Sequence, residues 1–188
     1  MCSPRFLHFH ETPGQLDDHA LACRLSYFIW NSMPDSRLMA LADTGERGKS
    51  EVLRQQRNRM LNDERGGNFV QECAAEWLDL SRIDLTEPDR KLYPGFDVIV
   101  QQSMLDETHA FLATMIRNNS SVTQLISADH TFLNNGLPRF CDISRIHGDT
   151  LRPVSLRPQD NRGGLLTYGS IMKITANATA TPQIVPGM

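Results

Sequence analysis

The sequence predicts a mainly α-helical fold, a helical bundle in two packed subdomains over residues 1–90 and 91–188, the second closed by an irregular, loop-rich C-terminal segment. Three observations carry that expectation. Apolar residues recur at helical spacing in several segments, the longest running from Phe96 to about Arg117. Prolines and paired glycines punctuate those segments, at Pro34, Gly66-Gly67, Pro88 and Pro94. From Ile143 onward the composition turns to Pro, Gly, Thr and Asn, with few strong helix formers but enough aliphatic residues to keep the stretch ordered.

Residues 1–15 read as a lead-in, in which His8 and His10 form an H-x-H pair that falls short of a full metal-ligand set. The first helix occupies Leu16–Pro34. Asp17 and Asp18 supply its N-cap and first-turn negative charge. Leu21, Leu25, Phe28 and Ile29 share one face, which Ala22, Cys23, Tyr27 and Trp30 widen until the helix reads as buried in the bundle. Arg24 in that setting calls for a partner. Pro34-Asp35 opens a second, short helix through Leu38, Met39, Leu41 and Ala42, ended by Gly45 and Gly48. Ser50, Leu53, Gln56, Met60 and Leu61 define a third, whose outer face carries Arg54, Arg57 and Arg59 as a solvated basic strip. After Gly66-Gly67 a fourth aligns Phe69, Cys73, Trp77 and Leu80, with Trp77 expected as a core anchor against the first helix.

Residues 81–95 form a connector. In the long helix that follows, Met104, Phe111 and Met115 make one apolar stripe, flanked by Leu105, Leu112 and Ile116, and Asn118 to Ser121 end it. A shorter helix is expected at Val122–Ile126, and another at Thr131–Phe140 with Asp129 as its N-cap. Beyond Ile143, Val154–Leu156 is strand-like and Leu165–Ile174 helical.

Composition excludes several function classes. The chain has 188 residues and a formal net charge of −3, so it carries no basic footprint for nucleic acid and no polybasic patch for a membrane surface. No apolar run reaches the roughly 18 residues that span a bilayer, and the N-terminus has no signal-peptide pattern. Cys2, Cys23, Cys73 and Cys141 are scattered without C-x-x-C or C-x-x-C-H spacing, and Cys23 and Cys73 read as small buried thiols.

Tests for catalytic machinery find little. Ser170 is not in a G-x-S-x-G elbow. Arg162-Gly163-Gly164 is neither a dinucleotide fingerprint nor a P-loop and reads as a turn. Asp129-His130 has the composition of an acid–base pair, although Asp129 suits a capping role. The segment 162–182 combines many hydroxyls and amides with Leu165, Leu166, Ile171, Met172 and Ile174, which would hold it on the helices. On this reading Arg162, Thr167, Ser170, Thr175, Asn177 and Thr179 face a ligand or the next domain. The alternative is that the loop hydroxyls satisfy the loop's own backbone.

Several blocks in order carry a resemblance. Ser3-Pro4-Arg5-Phe6-Leu7, LDDHALACRLSYFIWNSMPDSRLMALA, Arg59 to Asp63 and Trp77-Leu78 resemble a helical domain of unknown function found in large multi-domain, cytochrome c-associated proteins abundant in planctomycetes. PGFDVIVQQSMLDETHAFLATMI, ADHTFLNNGL, Arg162 to Thr167 and Thr175 to Pro182 resemble the domain that usually follows it. The resemblance covers nearly the whole chain and implies a tandem pair truncated at both ends, secretion to the periplasm, and c-type haem segments elsewhere in full-length relatives. It establishes no catalytic residue. It implies a non-catalytic structural or interaction module, with neighbouring domains of the same polypeptide or a cytochrome as partner. The alternative is part of a redox-linked enzyme with a polar site under residues 162–182. Covalent haem attachment needs C-x-x-C-H, which this chain lacks, so haem c is expected only in neighbouring domains and no cofactor in the chain itself. Purified chain from a host that matures c-type cytochromes is therefore expected to show no Soret band that survives denaturation; a retained band would contradict that expectation.

Overall fold

A computed structural model describes residues 14, 16–45, 50–85, 87–89, 91–137, 148–160 and 162–176. The chain divides into two units, Met1–Phe69 and Val70–Met188, each taken here by itself. The division falls inside a helix, whereas the sequence expectation places it near residue 90. Helix dominates the described residues, with one two-stranded sheet in the second unit. No helix among them is long and apolar enough to cross a membrane.

The first unit holds α1 (Asp18–Trp30), α2 (Ser36–Asp43), α3 (Ser50–Leu61) and the opening turn of α4 (Gly66–Trp77). The caps follow the sequence: Asp17 accepts from the Ala20 amide at 2.7 Å, and Asp35 from the Leu38 amide at 2.8 Å. Asn31 ends α1 at φ 50°, a left-handed conformation that asparagine tolerates. Ile29, Trp30, Leu38 and Met60 are buried together, with Leu25, Leu61 and Phe69 packed on them. Trp30 is the hub. Its indole N–H donates to the Met60 carbonyl at 3.0 Å, and the Asn68 side-chain amide donates to its own carbonyl at 2.9 Å. The Arg65 guanidinium carbon lies 3.5 Å from a Trp30 ring centroid and that of Arg59 5.3 Å away.

Three expectations for this unit need correction. The buried side of α1 is Ala22, Ser26, Ile29 and Trp30, while Tyr27 and Phe28 are exposed. Trp30 and Ile29 share that side with the small Ala22 and Ser26, about one position on from the expected Leu21, Leu25 and Phe28. Arg24 accordingly sits on the exposed side. Arg59 is not part of a solvated strip: it is half-buried, paired to Asp35 at 2.7 Å, and held near Trp30. His8, His10 and Cys2 lie outside the described residues.

The second unit is arranged on α5 (Val98–Arg117), capped by Asp97, whose carboxylate accepts from the Val100 amide at 2.9 Å. Phe111, Leu112 and Met115 of α5 pack with Val70 and Ala74 of α4, Leu80, Ala128, Leu165 and Tyr168. Val100 and Met104, nearer its start, pack with Leu133, Leu137 and Val154. Short 3₁₀ turns at Leu80–Leu85, Val122–Leu125, Pro158–Asp160 and Leu165–Thr167 connect these parts, and α6 (Gly169–Thr175) closes the described chain.

Here the helix expected at Thr131–Phe140 is instead β1 (His130–Leu133), paired antiparallel to β2 (Arg152–Ser155) with Thr131 opposite Val154. Thr131 and Leu133 are buried and His130 and Phe132 half-buried, the period-two pattern of a half-covered strand. Asp129 therefore caps no helix. The buried side of α4 is Val70 and Ala74, one position on from the expected Phe69–Cys73–Trp77 stripe. Cys73 is exposed, and Trp77 is 58% exposed rather than a core anchor. Cys23 is half-buried, and Cys141 lies outside the described residues.

Replacing Trp30 by Ala is expected to cost about 3–5 kcal/mol, because it empties a fully buried site. Replacing Trp77 by Ala is expected to stay within about 0.5 kcal/mol. Urea unfolding followed by far-UV circular dichroism measures both, and equal costs would contradict the packing described.

Candidate functional site

The polar groups of the second unit converge inside it, at Glu107. This residue follows Met104 by three and precedes Phe111 by four, so helical geometry places it on the buried stripe of α5. Its carboxylate is fully buried. One oxygen, Oε1, accepts from the Thr131 hydroxyl of β1 at 2.5 Å and from the Arg162 guanidinium at 2.7 Å. The other, Oε2, has no hydrogen-bond partner among the described residues. Burial pushes the Glu107 carboxyl above its usual range, and Arg162 and Thr131 recover only part of that shift.

Arg162 reaches α5 because of the turn behind it. Gly164 adopts φ 94°, and a Cβ there would meet the Ile126 carbonyl oxygen at 2.4 Å, so backbone packs directly on backbone. Thr167 closes the turn, accepting from the Gly163 amide at 3.1 Å and donating to the Gly164 carbonyl at 2.7 Å. Tyr168, fully buried, sets its ring edge-on to Phe111 at 5.2 Å, with the Arg162 guanidinium carbon 5.8 Å from its centroid. Its phenol is driven well above the ordinary value, chiefly by burial. Thr131 lies near enough to ease that shift, yet among the described residues no hydrogen bond of good geometry forms at the phenol oxygen. One turn further, the Ser170 hydroxyl meets that of Thr108 at 2.6 Å, both fully buried. Gly169 permits this approach, since a Cβ would sit 2.8 Å from the Met104 side chain.

The residues singled out from sequence thus separate. Arg162 and Ser170 enter the buried cluster and point to α5. Thr167 bonds its own turn, and Thr175 donates to the Ile171 carbonyl of its own helix at 2.9 Å. Asp129 and His130 do meet, Oδ1 to Nδ1 at 3.0 Å. The Asp129 carboxylate is solvent-facing, and the His130 bond holds it below the usual carboxylate range. The His130 ring packs 5.7 Å from Phe111 and 5.9 Å from Phe132. Asn177 and Thr179 lie outside the described residues. No grouping of three His, Cys, Asp or Glu side chains suited to a metal occurs among the described residues.

Sequence reading missed Glu107, Thr108, Thr131 and Tyr168. The available signal was a carboxylate inside the Met104–Phe111–Met115 stripe, because a buried charge demands a cation and hydrogen bonds. Lys173 is the same kind of signal: it is buried, and its ammonium donates to the Ile83 carbonyl.

Fold and cluster together define a mainly helical domain braced by an internal carboxylate–guanidinium pair. A family model described as Protein of unknown function (DUF1592), PSD4, matches residues 16–143, and the chain belongs to that family. The match takes in Glu107, Thr108 and Thr131 and stops before Arg162 and Tyr168. Neither the curated proteins nor the solved structures give a match.

Replacing Arg162 by Met leaves Glu107 buried without its cation, at an expected cost of about 3–5 kcal/mol near neutral pH. A raised native pKa means the folded state grips the proton more tightly than the unfolded chain, whose glutamate titrates near its ordinary value of 4.5. Stability from this group is therefore greatest below that pH and falls as pH rises through the native value. The Arg162→Met deficit is expected to shrink on acidification, and adding Glu107→Gln to abolish that trend. Urea titrations between about pH 5 and 8 read the slopes, and parallel curves for the single and double variants would refute the assignment.

Proposed function

We propose that this chain is a non-catalytic interaction module of an extracytoplasmic assembly associated with c-type cytochromes. Its partners would be neighbouring domains of the same polypeptide or a cytochrome. The observation that carries the reading is surface chemistry: Leu85, Leu92, Tyr93, Val98 and Ile99 are all exposed within one stretch of chain, Val98 at 76%. Exposed apolar side chains this close along the chain favour a surface that meets another protein. The inward turn of Arg162 and Ser170 and the self-bonding of Thr167 and Thr175 support a structural role for the C-terminal segment. The cytochrome setting and the periplasmic location rest on the resemblance of the sequence blocks. In this reading haem stays in the neighbouring domains.

Calorimetric titration of the chain with a purified c-type haem domain tests the proposal. Saturable binding is expected, weakened at least about fivefold by Val98→Ser with Ile99→Asp at unchanged melting temperature, since each exposed side chain contributes on the order of 1 kcal/mol. No binding, or binding indifferent to the two substitutions, would overturn it.

A further inference from the structure

A pocket of roughly 300 Å³ opens at the start of α5, between the Leu80–Leu85 turn and the Asp97 cap. That volume is at the small end of pockets that enclose a ligand and suits a single long side chain. Its walls combine two chemistries. Phe96, Pro88 and Val98 are apolar, while Asp84, Glu87 and Asp97 contribute carboxylates. Gln101 closes one wall, its amide donating to Asp84 at 2.5 Å.

The chain already places one cation against this wall. The Lys173 ammonium lies 5.6 Å from the Phe96 ring centroid, with Asp84 and Glu87 acting electrostatically upon it. Among the described residues at this pocket, one ammonium faces the carboxylates of Asp84 and Glu87, with the cap residue Asp97 beside them, so negative charge is in surplus next to an aromatic wall. An anionic or purely apolar occupant would leave that surplus uncompensated. A second cation offsets it, and its methylene stem can lie along Phe96 and Val98 while the charge meets the acids.

Resting on the interaction-module reading, we infer that this pocket and its exposed neighbours Val98 and Ile99 dock a partner protein through a lysine or arginine flanked by apolar side chains, the cation entering between Phe96 and the carboxylates of Asp84 and Glu87. The charge supplies orientation and discrimination, and the apolar rim supplies contact area.

The full ¹⁵N-labelled chain is titrated with the peptide acetyl-Leu-Lys-Leu-amide and with the same peptide acetylated on the lysine. Saturable amide shifts at Phe96, Val98 and Gln101 are expected with the first. The acetylated peptide should bind at least about fivefold more weakly, the effect of losing one favourable ion contact. Asp84→Asn with Glu87→Gln should erase the difference between the two peptides while leaving the spectrum of the folded chain dispersed. Because the peptide pair is compared on the unaltered chain, the inference stays testable even if that variant fails to fold. Equal binding of both peptides overturns the cationic partner and leaves the interaction module intact. Absence of saturable shifts with either peptide also overturns the inference, and the module itself is then decided by titration with the haem domain.

Discussion

A fully buried carboxylate constrains the second unit more than any other group. Glu107 sits on the inner stripe of α5, and the chain has to bring it donors. Thr131 comes from a strand and Arg162 from a distant turn, and both reach the same oxygen. Other features follow from those two contacts. Arg162 needs the turn at Gly164 to lie flat on the Ile126 carbonyl, and Tyr168 and Ser170 are then delivered to Phe111 and Thr108. Buried ion pairs are weak sources of net stability, because desolvation consumes most of the Coulomb gain. The contribution of this one is placement: it joins α5, β1 and the C-terminal segment at one oxygen atom.

The first unit meets a similar demand with an aromatic ring. Trp30 is too large to bury without partners at its edge and faces, so Met60 takes its N–H and Arg65 covers a face. Asp63 pairs with Arg65 and Asp35 with Arg59, so both cations near the indole have their counter-charges. Asp35 also caps α2, which ties the start of one helix to the packing of another. Both units thus use a guanidinium beside an aromatic ring, at opposite ends of the burial scale: Arg162 is nearly enclosed, whereas Arg65 keeps part of its side chain in water.

This division of labour bears on function. Among the described residues, Arg162, Thr167, Ser170 and Thr175 of the C-terminal segment all make hydrogen bonds within this unit. Near the start of α5, exposed Val98 and Ile99 adjoin carboxylates. The Asp97 cap fixes the backbone of the helix start that carries them.

What the sequence by itself determined is local. Helix positions and the first caps were legible because Asp17, Asp35 and the apolar spacing act within a few residues of chain. The absence of a C-x-x-C-H spacing was equally plain. What only tertiary structure decided is which side of each helix is inside and which polar groups meet. Ala22 with Ser26 and Val70 with Ala74 took buried positions rather than Phe28, Cys73 and Trp77, because which side of a helix is covered depends on the neighbouring elements and not on hydrophobicity alone. The strand at His130–Leu133 was invisible for the same reason: its pairing partner lies at Arg152–Ser155, and four residues of alternation say little without it. Glu107 could be read as a problem needing a cation, but Arg162 is 55 positions away, a separation across which spacing carries no information and only the folded chain brings the charges together.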